Sequence, residues 1–286
     1  MADSPILAGE PFSPQKTREI VEQFFRDGYV HVPGVLTPGE ISALRDKTDE
    51  FMDDPEMQAR FNPNLGDPRY VQVWEHKTTG EELPLILRNT IELAQVFRDM
   101  LVREPIFSLA ESIVGKDSKF CGQNVIRNLP GVSIDEWHCD TKVYFPLPDE
   151  IERHDPRVRM PVMWITVQVA LTDIESIEHG PTQYVPGSHY SGRTPNDQEN
   201  PVFDGVGPVS AFSKAGDIYL QDPMCWHRGA PNTSDRTRYL FQSQYAASWA
   251  YERFNLYNRV PVADDALRTA SDQLLNLLGR PRPNGA

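Results

Sequence analysis

From Lys119 onward the chain stops supporting helices, and this change of pattern constrains the fold more than any other feature. Apolar residues fall into short runs at Phe120–Asn128, Trp164–Leu171, Thr182–Val185, Asp217–Gln221 and Arg238–Tyr245, separated by turn-forming residues. The 286 residues include 25 prolines and 18 glycines, enough to punctuate many short strands. Before Lys119 the signals are mostly helical. Ser13-Pro14 offers a cap and a first-turn proline, Ile20, Val21, Phe24 and Phe25 share a face, and Gly28 ends the segment. Tyr29–Val32 reads as a strand. Thr37-Pro38-Gly39-Glu40 has the spacing of a capping box, with Ile41, Leu44 and Phe51 following on one face. Asn89 is placed to cap a helix through Leu93, Val96, Phe97 and Met100, and Pro105 opens another to about Val114. Helix returns near Ala266–Leu278. Helices first, then many strands, then a closing helix predict a mainly β protein, a sandwich or jelly roll with helices flanking one sheet. We expect one domain over 1–286, with a helical part to about 117, a β core over about 118–250 and a terminal helix over about 264–279.

Composition narrows the function. A net charge of −13 disfavours nucleic acid or an anionic membrane as the main partner, since both need a basic footprint. No apolar run is long enough to span a bilayer, and the first residues do not read as a secretory leader. Cys121, Cys139 and Cys225 are odd in number and lack CxxC spacing, which disfavours a disulfide framework or structural zinc and suits a reducing cytoplasm. A homodimer is left open.

The segment Glu136-Trp137-His138-Cys139-Asp140 holds a His-x-Asp, and on extended backbone its outer two side chains project the same way. Alone it is a weak signal. His227 follows the strand-like Gly216–Leu220 and supplies a second imidazole. Two histidines and a carboxylate form the facial triad of non-haem iron(II) oxygenases, which leaves sites open for a bidentate 2-oxo acid and dioxygen. Arg238, just beyond, has the planar fork that pairs with a distal carboxylate. The alternative for Arg238 is a surface residue of the turn it shares with Arg236.

Four segments in order resemble the phytanoyl-CoA dioxygenase family of 2-oxoglutarate oxygenases: Phe25–Leu36, Trp137–Asp140, Glu178–His189 with its Gly180-Pro181 and Pro186-Gly187-Ser188-His189, and His227 through Asn232 to Arg238. The resemblance implies a double-stranded β-helix with iron at its mouth, held by His138, Asp140 and His227, and Arg238 on the 5-carboxylate of 2-oxoglutarate. It offers Gln123 as a polar residue facing substrate or cosubstrate, with Arg127 on the same face by alternation, and Thr182 as a lining residue of the cosubstrate pocket. For Gln123 and Arg127 the alternative is an exposed strand face, and for Thr182 a turn. Relatives that halogenate have a small residue in place of Asp140, so its presence favours oxygenation. The expected activity is oxidation, foremost hydroxylation, of a small organic molecule, as in natural-product biosynthesis, with Fe(2+), 2-oxoglutarate and O2 consumed or bound and succinate and CO2 released. Desaturation, epoxidation or ring closure by the same site, or a non-catalytic metal- and 2-oxoglutarate-binding module, are the alternatives. Cys139 should point away from the metal, His189 should be structural, and His76, His154 and His179 read as exposed. Tyr144 and Trp74 are candidates for either a substrate pocket or core packing. The charged stretch Ile151–Arg159 reads as a lid or a solvated loop.

Overall fold

The computed structural model describes residues 5–60, 69–254 and 267–280. Helix α1 (Pro14–Asp27) starts where the Ser13 side chain accepts from the Lys16 N–H, and ends where Gly28 turns into the left-handed region at φ 80°. Helix α2 (Pro38–Met52) opens on the capping box, with Thr37 Oγ1 accepting from Glu40 N and the Glu40 carboxylate accepting from Thr37 N. Short α3 (Pro55–Ala59), α4 (Gln95–Asp99) and α5 (Ile106–Val114) follow, and α6 (Ser248–Phe254) and α7 (Asp272–Leu277) close the chain. Within the expected terminal helix of about 264–279, Asp272–Leu277 is helical, and residues 264–266 lie outside the described residues.

Among the described residues ten strands form two sheets. β1 (Tyr29–Val32), β2 (Val71–Glu75), β3 (Glu82–Arg88), β4 (Lys119–Asn128), β5 (Trp164–Ala170), β8 (Ile218–Gln221) and β10 (Arg238–Ala246) make a seven-stranded antiparallel sheet in the order β1-β8-β5-β10-β4-β3-β2. β6 (Thr182–Tyr184), β7 (Val209–Ser210) and β9 (His227–Gly229) make the smaller sheet, in the order β7-β6-β9. This is the jelly roll with flanking helices that the sequence predicts.

Two expectations need correcting in the first third. The hairpin of β2 and β3 lies inside the segment read as mostly helical. Pro84 within β3 masks the strand signal, and the ladder accommodates it with an irregularity between Gln72 and Val73. The helix expected from Asn89 is broken: a 3-10 turn at Thr90–Glu92, then α4, then a 3-10 turn at Met100–Val102. Asn89 stands in the left-handed region at φ 52° and makes no cap hydrogen bond, so it turns the chain without capping it.

The main core lies between the helices and one face of the large sheet. Phe24, Leu44, Phe97 and Leu109 from the helices meet Val125, Val167, Phe241 and Tyr245 from the strands. The opposite face of the same strands looks into the roll, toward the small sheet.

Candidate active site

The site is built where the loop after β4 meets β9. His138 and His227 exchange backbone hydrogen bonds, each N–H donating to the other's carbonyl at 3.0 Å, so the His138 segment continues the small sheet by one bridge. Asp140 is fixed by its own N–H donating to Pro223 O at 2.9 Å. The three side chains converge. His227 Nε2 lies 3.3 Å and His138 Nε2 3.8 Å from Asp140 Oδ1, and the imidazole centroids are 4.3 Å apart. Among the described residues this is the one cluster of three or more His, Cys, Asp or Glu side chains with ligand atoms close enough to grip a single ion.

The tautomers suit a metal. His138 Nδ1 is 2.8 Å from Glu136 O, and His227 Nδ1 is 2.8 Å from Cys225 O. A carbonyl only accepts, so each Nδ1 carries the proton and each Nε2 keeps its lone pair. Burial, aided by the neighbouring His227, lowers the pKa of His138. Burial also opposes the charge of His227, but Asp140 outweighs it and the net shift is upward. For Asp140 burial acts upward, and the two histidines overcome it to hold the carboxyl below its ordinary value. Two neutral nitrogen donors and one anionic oxygen fit a borderline divalent ion with room for further ligands.

A second layer orients the first. Gln221 on β8 donates from Nε2 to Asp140 Oδ2 at 3.1 Å and to His227 Nε2 at 3.0 Å. Its Oε1 accepts from Gln168 Nε2 at 2.6 Å and from the Tyr184 hydroxyl at 3.0 Å. Thr182 donates in turn to Gln168 Oε1 at 3.4 Å. Gln221, Gln168 and Tyr184 were not singled out from sequence. A signal existed: Thr166 and Gln168 alternate with β-branched residues in β5, marking a polar inner face.

Arg238 starts β10 and is 6% exposed. It is no surface residue of the Arg236 turn: its guanidinium donates to Gly180 O, while its buried Nε has no partner among the described residues. Burial lowers its pKa to about 10, so it stays charged at neutral pH. Gly229, two residues past His227, brings the cation close to the metal ligands, since a Cβ built there would lie 3.6 Å from Arg238 Nη2. Thr182 pairs with Gly229 across the small sheet and is buried, so the structure brings it to this pocket. A buried cation beside three metal donors fits the distal end of a dicarboxylate.

Gln123 and Arg127 are not brought to the site. Gln123 donates to Phe97 O at 2.8 Å and Ser243 Oγ at 3.3 Å and accepts from Thr90 Oγ1 at 2.8 Å. Arg127 pairs with Asp49 at 3.0 Å and Asp53 at 2.7 Å at the end of α2. Both face the helices. Strand alternation holds, but in the opposite phase, and Asn124 is the residue that faces inward.

Other expectations resolve as packing. Cys139 Sγ contacts Met224 O at 3.5 Å and sits beside the Trp137–Val185–Trp226 cluster. His189 is buried, with Nε2 3.2 Å from Phe25 O, and burial lowers its pKa to about 4. His76, His154 and His179 are half-buried, not exposed. Tyr144 accepts from Trp164 Nε1 at 2.9 Å, and Trp74 packs against the Leu85–Ile126–Leu240 cluster inside the roll. The Ile151–Arg159 stretch is tied down: Arg193 donates to the carbonyls of Pro148, Ile151 and Glu152, and the cleft it borders with α1, of about 490 Å³, contains none of the metal-site residues.

The profile of the phytanoyl-CoA dioxygenase (PhyH) family matches residues 24–240, spanning the whole site. The chain belongs to this family. Its members are iron- and 2-oxoglutarate-dependent oxygenases, and the His138–Asp140–His227 triad is a donor set able to hold a metal ion. Dioxygenase af480 of Aspergillus fumigatus is 29% identical over 258 residues, covering 88% of this chain and 73% of that one. Ectoine dioxygenase of Stutzerimonas stutzeri is 26% identical over 176 residues, 60% of this chain and 50% of that one. Among solved structures, the epimerase SnoN in complex with Fe3+, alpha ketoglutarate and nogalamycin RO superposes with a TM-score of 0.61 at 20% identity, over 82% of this chain and 85% of that one. HygX from Streptomyces hygroscopicus with nickel and 2-oxoglutarate bound gives 0.57 at 19% identity, over 81% and 87%. These likenesses support the jelly-roll fold. Among the described residues no helix is long and apolar enough to cross a membrane.

Proposed function

We propose that His138, Asp140 and His227 hold the iron, that Arg238 holds the 5-carboxylate of 2-oxoglutarate with Thr182 alongside, and that the enzyme hydroxylates a small organic molecule. The observation that carries this reading is the convergence of two Nε2 lone pairs and one carboxylate oxygen beside a buried, incompletely paired guanidinium. When bound, iron and 2-oxoglutarate supply the oxidising power, with dioxygen consumed and succinate and CO2 released. The chain's own part is positional. The carbonyls of Glu136 and Cys225 fix both imidazole tautomers, and Gln221 steadies Asp140 through its Oδ2. Arg238 sets the direction of the cosubstrate, its bidentate fork favouring a planar carboxylate over a point contact. The three unpaired cysteines favour a reducing compartment such as the cytoplasm.

The test is anaerobic addition of iron(II) and then 2-oxoglutarate. Chelation through the 2-oxo group and its neighbouring carboxylate should give a metal-to-ligand charge-transfer band in the visible, absent in His138→Ala. No band, together with no succinate on admitting air, would overturn the reading.

A further inference from the structure

The inner face of the large sheet carries a strip of polar side chains that the metal and cosubstrate assignments do not use. On β10, Phe241 and Tyr245 belong to the helix-facing core, so Gln242 and Gln244 point into the roll. The register continues the pattern sideways. Gln242 is paired with Asn124 on β4 and with Gln168 on β5, and Gln244 with Gly122 and Thr166. Gln168 hands on to Gln221, which contacts Asp140 and His227. The strip therefore begins at the metal ligands and runs across neighbouring strands, each step about 5 Å.

Along this strip the hydrogen bonding changes character. Gln168 and Gln221 are engaged near the metal. Asn124, Gln242 and Gln244 are only partly buried, and their side chains have no hydrogen-bond partner among the described residues. Thr166 is 1% exposed and its hydroxyl also lacks a partner. Arg88 continues the row on β3 and already has an interaction of its own. Gly122 is part of the arrangement: a Cβ there would come within 2.2 Å of Gln244 Oε1, so the absence of a side chain is what lets that amide lie against β4. Beyond the strip, Trp164 and Tyr144 form an aromatic border with Ala246 and Tyr251.

A sheet face meant only for packing would pair its polar groups within the protein, as the outer face does for Gln123 and Arg127. The buried Thr166 hydroxyl costs stability that a ligand with a complementary group can recover, and the half-open amides of Asn124, Gln242 and Gln244 are free to pair with one. Each offers both donor and acceptor capacity and none is charged. An acyl chain laid on them would bury the groups unpaired and bind weakly for that reason.

We propose that Asn124, Gln242, Gln244 and Thr166 are the substrate-recognition wall, and that the substrate is a neutral molecule presenting several hydroxyl or amide groups along one edge, not a fatty acyl thioester. This rests on the oxygenase reading above. The test uses the iron-loaded enzyme with 2-oxoglutarate in air and two probe pools: methyl glycosides, inositols and N-acetylated sugars in one, saturated acyl-CoA thioesters in the other. Succinate formed above the rate without added substrate is the readout. The polar pool should stimulate turnover, and Gln242→Leu and Gln244→Leu should each cut that stimulation at least about tenfold. The affinity for 2-oxoglutarate, titrated by the charge-transfer band, should stay within about twofold in both. Their melting temperatures should match or exceed the wild type, because no protein hydrogen bond is lost. Stimulation by the acyl-CoA pool alone, stimulation by neither, a loss of 2-oxoglutarate affinity, or a fall in melting temperature would each overturn the wall. Absence of both the band and any succinate in the wild type is a separate result, which takes down the oxygenase reading itself.

Discussion

The two faces of the seven-stranded sheet are made by the same strands and differ by one residue in phase, yet they do opposite things. On β10 the outward residues Tyr239, Phe241, Ser243 and Tyr245 are all buried against helices, while the inward Gln242 and Gln244 stay partly open. The outer face excludes water and holds the roll in shape. The inner face keeps polar groups available and ends at the metal ligands. Stability and chemistry are thus divided by strand alternation, not by region of sequence, and substitutions one position apart should separate them.

The largest effect should come from the outer face. Phe241 is 1% exposed and stacks on Phe97, with ring centroids 6.2 Å apart. Phe241→Ala should cost about 3–5 kcal/mol in urea unfolding, through lost burial and the cavity left behind. The affinity of the folded fraction for 2-oxoglutarate should not change. A loss of affinity without a loss of stability would show that the division between faces is wrong.

Arg238 opens the same strand, and its effect should be read in binding. Arg238→Leu should weaken 2-oxoglutarate by about 3–4 kcal/mol, on the order of several hundredfold, measured by titration of the charge-transfer band. Arg238→Lys should recover part of this, because charge is kept while the planar fork is lost. Equal affinity in Arg238→Leu and wild type would remove the arginine from the cosubstrate site.

His189 tests the packing outside the roll, under acid. Its ring is held between α1 and β9's approach, with Nε2 facing Phe25 O and Nδ1 unpartnered and buried. Gly28 is required beside it, since a Cβ there would meet Nδ1 at 2.6 Å. The folded protein takes this proton only near pH 4, against 6.5 ordinarily. The unfolded chain therefore binds the proton first as pH falls. The stability contribution is complete above about 6.5 and is lost as pH drops toward 4, by about 3 kcal/mol at the end of that window. His189→Gln should flatten the stability-against-pH curve between those limits. Parallel curves for variant and wild type would sink the assignment.

Much of this architecture was legible in the chain because it rests on local rules. Ser13, Thr37 and Gly28 bound their helices through caps whose residue types suffice to mark them. The strands of the core were visible as runs between turns, nearly to the residue at Trp164 and Arg238. His138, Asp140 and His227 could be read together because the chemistry of the triad limits residue type as well as order. What could not be read depends on partners far away in sequence. The hairpin of β2 and β3 holds a proline in a strand because its neighbour's ladder is irregular there. Arg238 is buried against Gly180 and Gly229, which only the fold brings near. The phase of β4 depends on which of its faces the helices cover. Nothing local decides that, since Gln123 and Asn124 are both polar amides and adjacent.

That pair gives the smallest effect and the sharpest test of the comparison. Gln123 holds three buried hydrogen bonds on the helix side, to Thr90, Phe97 and Ser243. Gln123→Leu should therefore leave Thr90 Oγ1 and Phe97 O short of a partner and cost about 1–3 kcal/mol of stability, with 2-oxoglutarate affinity held within about twofold. Asn124→Leu should spare stability, because its amide has no partner to lose among the described residues, and should instead cut substrate-stimulated succinate formation. Arg127→Met belongs with Gln123, since it frees Asp49 and Asp53 at the end of α2 and touches nothing inside the roll. Thermal melts and substrate-stimulated succinate formation, with band titrations as the control, place each of the three residues on one face or the other. If Gln123→Leu weakened the cosubstrate and left the melt unchanged, β4 would present its other face to the site. The wall assigned to Asn124 and its neighbours on β10 would then fall with it, because one register fixes both.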